Sequence, residues 1–114
     1  ALGKSKRLAR EAIDGALEKD GLDLIIAPTN GPAWVVDLVN GDNFGTSVSS
    51  STLPAVSGYP NVTLPMGAVH GQPLGLSIFG TAHSEPLLLR AALAFEQAAL
   101  PRRVPGYIPT IPVE

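Results

Sequence analysis

Apolar and polar positions along the chain follow two rhythms, and each rhythm marks a kind of element. Over residues 5–20, Leu8, Ala9, Ala12, Ile13, Ala16 and Leu17 recur at helical spacing, whereas Arg7, Arg10, Glu11, Asp14 and Glu18 fall elsewhere. This pattern predicts an amphipathic helix that ends at Gly21. Arg7 with Glu11 and Arg10 with Asp14 stand four apart, the spacing of ion pairs on a solvated helix face. Residues 22–27, Leu-Asp-Leu-Ile-Ile-Ala, form an apolar run without strict alternation and are closed by Pro28. They predict a strand covered on both faces, in the interior of an α/β sheet. Residues 29–47 carry Asn30-Gly31, Asn40-Gly41, Pro32, Gly45 and the sole Trp, and predict a long shaped loop with a short strand at 34–39.

The second half of the chain repeats these two rhythms. Residues 52–57 follow a run of serines and precede Gly58 and Pro60, which predicts a short helix with a glycine stop. Residues 61–66 and 74–79 predict two strands separated by Gly67, His70-Gly71 and Pro73, a connection longer than a two-residue hairpin but short enough for antiparallel pairing. Ser84 is placed to cap a helix with Glu85 and Pro86 in its first turn and Leu87, Leu88, Ala91, Ala92, Phe95, Ala98 and Ala99 on one face. Pro101, Pro105, Pro109 and Pro112 make residues 101–114 a proline-rich tail that is neither helix nor central strand.

Composition narrows the partners. With 114 residues, 45% hydrophobic and 16% charged, the chain reads as one folded domain rather than a disordered or fibrous segment. Eight basic against ten acidic residues leave a net charge of −2, so no basic field exists to hold nucleic acid directly or an anionic membrane. Zero cysteine removes disulfides, thiolate catalysis and cysteine-type metal sites together. The sole methionine is Met66, and the sequence opens at Ala1. No apolar run approaches the roughly 20 residues of a membrane span. No targeting segment is visible, and a cytoplasmic location is expected over a periplasmic one.

Candidate chemistry is sparse. A serine nucleophile needs a base within hydrogen-bond reach and a partner behind that base. The two imidazoles, His70 and His83, both fall in predicted loops, and no Gly-x-Ser-x-Gly elbow is present. The same histidines stand 13 apart without clustered carboxylates, Asp37, Asp42 and Asn43 lack the spacing of a calcium loop, and residues 75–80 lack the lysine of a phosphate loop. No metal or cofactor is expected. One recognition loop is left, residues 34–44, with Trp34, Asp37, Asn40 and Asp42 among glycines; its Trp could instead fill a gap in the core.

The order of segments carries a family resemblance. Leu22-Asp23-Leu24-Ile25-Ile26-Ala27-Pro28-Thr29 comes first, then Gly58-Tyr59-Pro60-Asn61-Val62-Thr63-Leu64-Pro65-Met66-Gly67. Gly71-Gln72-Pro73-Leu74-Gly75-Leu76-Ser77-Ile78-Phe79-Gly80 follows, then a helix with Leu87-Leu88 and Phe95-Glu96. Over residues 8–103 this order resembles the C-terminal end of amidase signature enzymes. Gly31-Pro32-Ala33-Trp34 with residues 37–44 looks most like the bacterial peptide amidase branch, and the A subunit of the tRNA-dependent amidotransferase is the next branch.

The resemblance implies a mixed β-sheet sandwiched by helices, with about three strands and two long helices in this chain. It implies an enzyme that hydrolyses a carboxamide C–N bond and releases ammonia, acting on a peptide amide or small amide. The family works with a Lys, a Ser in a cis peptide and a nucleophilic Ser, and none has a match here. Ser49-Ser50-Ser51 lacks flanking glycines, and Lys4, Lys6 and Lys19 lie on or beside a charged helix. No catalytic residue is therefore carried over. Asp42 is the candidate to hold a substrate amino group, with Trp34 and Phe44 as apolar walls. On this reading the chain is a C-terminal fragment, residues 1–114 of a longer amidase domain, inactive alone and partnered by the rest of its parent chain. Exposed strands or helix exchange would make it dimerise. The rival from another class is a non-catalytic binding or scaffold domain.

Overall fold

The structure, a computed structural model, describes residues 1–34, 36–41, 48–99, 102–104 and 106. Helix α1 spans Leu2–Asp20 and buries a narrow stripe, Ala9, Ile13 and Leu17, four residues apart on one face. Leu8, Ala12 and Ala16, expected on the same face, are exposed. The helix closes in a Schellman motif. Gly21 takes φ 61° and ψ 39°, and its N–H and that of Leu22 donate to the carbonyls of Glu18 and Leu17.

Strand β1, Ile25–Pro28, is shorter than the apolar run that predicts it. Strands β2, Asn61–Val69, and β3, Gln72–Phe79, complete a three-stranded sheet in the order β1-β3-β2, antiparallel throughout. β1 therefore lies at an edge of this sheet, not in its interior, and leaves Ile26 61% exposed. An apolar run reports that a strand has two faces to cover, not how many neighbours one chain supplies.

The hairpin also differs from the expectation. β2 and β3 are joined by a tight two-residue turn at His70-Gly71, both with positive φ of 49° and 79°, the geometry of a type I′ turn. Gly67 and Pro73 do not break the strands. A register shift between Pro65 and Gly67 absorbs the extra residue as a bulge, with Gly67 at φ 144°, and Pro73 pairs with Ala68.

Helix α2 spans Thr52–Ser57, the range its flanking signals predict, and stops at Gly58 with φ 74°. Helix α3 covers Glu85–Ala99. Its first turn begins at Ser84, whose carbonyl accepts the N–H groups of Leu87 and Leu88; the Ser84 hydroxyl points back to the Thr81 carbonyl at 2.7 Å.

Consecutive residues of a strand face opposite sides, and β3 uses both. Leu76 and Ile78 join Leu64 and Leu88 in one core, against which Phe95, Ala91 and Ala92 of α3 pack. Phe79 joins Ile13 and Leu17 of α1 in the other, with Ile25 and Tyr59 alongside. The sheet thus lies between α3 and α1, the sandwich the resemblance implies. Among the described residues no helix is long and apolar enough to cross a membrane.

Candidate functional site

Trp34 lies in the irregular segment after β1 and is 42% exposed. The short strand expected over 34–39 does not form among the described residues, because Asp37 folds the chain into a turn. Its Oδ1 accepts the N–H groups of Val39 and Asn40 at 2.8 and 2.9 Å, and its Oδ2 accepts the Asn40 side-chain amide at 2.9 Å. These donors hold the Asp37 carboxyl below its usual range, the Asn40 backbone N–H most, then the Asn40 side chain and the Val39 N–H. Asp37 is thus engaged by its own turn, a local alternative to strand pairing. Asp42 and Phe44, the other two candidate substrate-binding residues, lie outside the described residues.

The histidines stand in turns, His70 in the hairpin and His83 before α3 with φ 62°. Among the described residues no group of three His, Cys, Asp or Glu is placed to hold a metal ion. The serine run engages itself, with Ser49 Oγ 2.9 Å from Ser51 Oγ, and no described serine bonds a histidine or lysine. Among the described residues no basic group is placed to activate a serine hydroxyl.

Two polar centres emerge that the hydropathy pattern does not announce. The first is a hydroxyl cluster across the sheet. Ser77, fully buried on β3, lies 2.9 Å from Thr29 Oγ1 and 3.3 Å from Thr63 Oγ1. Its signal is present in the sequence: Thr63 interrupts Val62 and Leu64 as Ser77 interrupts Leu76 and Ile78.

The second is Asp14, which the helical spacing pairs with Arg10. No such pair forms. Tyr59 Oη donates to Asp14 Oδ2 at 2.6 Å, Thr81 Oγ1 donates to Oδ1 at 2.8 Å, and Arg10 Nε instead donates to the Ser57 carbonyl at 2.9 Å. The Arg10 guanidinium also sits 5.3 Å over the Tyr59 ring. Arg10 thereby places a cation at the C-terminal end of α2, where the helix dipole favours it. The Asp14 hydrogen bond, and then burial, push the Tyr59 phenol upward. Only the other predicted pair, Arg7 with Glu11, forms, at 2.8 Å on the exposed face.

The hydroxyl cluster ties the strands together and the Asp14 centre ties α1 to the Gly58-Tyr59-Pro60 segment and to the loop before α3, a joined frame rather than a reaction site. No family model matches the chain. It is 36% identical over 109 residues to a probable amidase of Arabidopsis thaliana, covering 95% of this chain and 18% of that protein. It is 36% identical over 97 residues to the A subunit of the glutamyl-tRNA(Gln) amidotransferase of Methanosarcina barkeri, 82% of this chain and 20% of the relative. A peptide amidase in complex with the competitive inhibitor chymostatin superposes with a TM-score of 0.85 and 43% identity over 93% of this chain and 21% of its own. The native peptide amidase from Stenotrophomonas maltophilia gives 0.80 and 40% over the same shares. A bacterial aryl acylamidase of the amidase signature family gives 0.62 and 25% over 82% of this chain and 21% of that one.

The layered α/β segment superposes on part of these amidase structures. The chain is a homologue of the amidase signature enzymes, and it spans about a fifth of the length of the curated relatives it matches.

Proposed function

We propose that the chain is the C-terminal part of an amidase that hydrolyses a carboxamide C–N bond with release of ammonia, and that it is inactive alone. Residues 1–114 would belong to one amidase domain and end in the proline-rich tail of residues 101–114. The observation that carries this reading is a pairing of extents: 43% identity over 93% of this chain, yet only 21% of the peptide amidase it resembles. Acyl transfer to water needs an activated nucleophile and an oxyanion hole. No described serine here has a basic partner. A peptide amide or small amide is the preferred substrate, with Trp34, Asp42 and Phe44 near its path.

The test is ammonia release, measured for the 114-residue chain and for the longer protein encoded with its upstream sequence. The longer protein is expected to release ammonia from a peptide amide faster than from free glutamine, and the chain alone to release none. No ammonia from any amide by the longer protein would overturn the amidase reading. Preference for free glutamine would move it to the amidotransferase branch, to which the 36% identity with the Methanosarcina barkeri amidotransferase already points as a second reading.

Both outer edges of the sheet, β1 and β2, carry no strand partner among the described residues. Unpaired N–H and C=O groups on such edges recruit other strands. The isolated chain is therefore proposed to dimerise, and a stable monomer on a sizing column at micromolar concentration would count against it.

A further inference from the structure

We infer that the hydroxyls of Thr29, Thr63 and Ser77 form a positioning site that fixes where the Trp34 segment leaves the sheet and where residues 48–50 return to it. The starting point is Ser77. It is fully buried on the central strand between Leu76 and Ile78, a place where an apolar residue would satisfy burial without needing a partner. A buried hydroxyl costs free energy unless it is hydrogen-bonded. Its partners here are two more hydroxyls on the same face, one from either flank of β3: Thr63 from β2 and Thr29 from just beyond the end of β1. Each can both donate and accept, so the three satisfy one another only while the strands keep their present register.

Thr29 carries the coupling outward. Its N–H donates to the Gly75 carbonyl at 2.7 Å, its carbonyl accepts the Ser50 N–H at 3.2 Å, and its hydroxyl meets Ser77. One residue therefore joins the central strand, the departing chain and the returning chain. Gly75 makes room for this: a Cβ there would lie 2.9 Å from Thr29 Oγ1 and 3.0 Å from Thr63 Cγ2. The next steps away from the sheet are also held. Asn30 bridges Ser49, and the Gly31 N–H donates to the Val48 carbonyl at 3.0 Å. Pro32, with its fixed φ, then leads to Trp34. The direction in which the Trp34 segment departs is thus set at Thr29, and Thr29 is oriented by Ser77.

This inference stands on hydrogen bonds and does not need the amidase reading, so the two fail separately. Trp34 is the only tryptophan, and its emission reports on the segment directly. The experiment compares Thr29→Val, which removes the hydroxyl at nearly constant volume, Thr29→Ser, which retains it, and Ser77→Ala, all in the full 114-residue chain. Native-state Trp34 emission and amide hydrogen exchange of Gly31 and Ser50 are read together. Thr29→Val and Ser77→Ala are expected to shift the emission and to speed both amides by about tenfold, the signature of local opening. Thr29→Ser is expected to match the parent chain. Tyr59→Phe, which deletes a hydrogen bond elsewhere in the molecule, is expected to leave Trp34 emission unchanged. Parent-like emission and exchange in Thr29→Val and Ser77→Ala would overturn the inference, as would an equal shift in Tyr59→Phe. Should Thr29→Val fail to fold, Ser77→Ala against the parent chain decides.

Discussion

The two faces of the one sheet are held by different kinds of contact. Under α3 the face is apolar along its length, with Leu64, Leu76 and Ile78 meeting Leu88 and with Val62, Met66 and Phe95 around them. The opposite face changes character within one strand. Phe79 packs against Ile13 and Leu17 of α1, and two residues earlier Ser77 exchanges hydrogen bonds with Thr29 and Thr63. Apolar contacts are non-directional and scale with area, so the α3 face supplies stability without demanding particular partners. Hydroxyl contacts have direction and stoichiometry, and they hold the register of three strands at one level. The α3 face makes the segment hold together. The mixed face decides how its loops leave.

This division sets the size of the effects expected from substitution. Leu88→Ala removes the helix side of the apolar core at a position 2% exposed and is expected to cost about 2–5 kcal/mol, read as a lower urea midpoint at unchanged slope. Ile13→Ala, 1% exposed on the α1 side where the apolar cluster is smaller, is expected to cost less, near the lower end of that range. Equal losses at the two positions would show that α1 contributes as much bulk packing as α3, and would weaken the contrast drawn between the faces. Gly75→Ala comes next. The new methyl would press on Thr29 and Thr63 from within a packed sheet, for an expected loss of about 1–3 kcal/mol. Pairing it with Thr29→Ser tests the cause, since removing the threonine methyl does not move the hydroxyl that the new Cβ meets; little relief is expected in the double variant.

Much of this frame is legible in the sequence where local signals act alone. Gly58 and Pro60 bound α2, and Gly21 ends α1 in the left-handed conformation such a stop requires. Legibility falls where a local signal meets a distant partner. Arg10 and Asp14 are well spaced for a helical pair, yet each finds a better partner 45 or more residues away, in Ser57, Tyr59 and Thr81. No periodicity encodes that. Gly67 and Pro73 read as strand breakers because composition does not distinguish a bulge from an end. The edge position of β1 depends on which strands one chain contains. At the candidate site, Trp34 is recognisable as a loop residue, and Asp37 organises the turn that replaces the expected strand. The Thr63 and Ser77 interruptions are visible, but only the fold puts them side by side.

The clamp around Asp14 gives a smaller and pH-dependent effect. Tyr59→Phe removes a 2.6 Å hydrogen bond to a carboxylate and is expected to cost about 1–2 kcal/mol of unfolding free energy. The phenol is raised above its ordinary value of 10.0 in the folded chain, chiefly by that hydrogen bond. A raised folded value means the unfolded chain loses this proton first, so the contribution is whole below the ordinary phenol range and is lost as pH rises through the folded value. The parent chain should therefore lose stability in alkali more steeply than Tyr59→Phe. Parallel alkaline profiles for the two would remove Tyr59 from the account and leave Thr81 as the working partner of Asp14.

The smallest effect belongs to Asp37, and it probes the loop without touching either core. Its carboxylate accepts three hydrogen bonds from within the turn, two from backbone N–H groups and one from the Asn40 amide. Because these favour the ionised form, the folded carboxyl titrates below the usual range. The turn is whole above the unfolded carboxyl's ordinary pKa and loosens as pH falls through the lower folded value. Amide shifts of Val39 and Asn40 should follow that acidic titration, while Gly31 and Ser50, held at the sheet by Val48 and Thr29, should not. Asp37→Ala should abolish the titration and leave the unfolding midpoint near that of the parent chain, since Leu38 and Val39 beside it are over nine-tenths exposed. If Gly31 and Ser50 moved with Asp37, the turn and the base of the loop would act as one unit. The separation between a hydroxyl-held base and a carboxylate-held turn would then be lost.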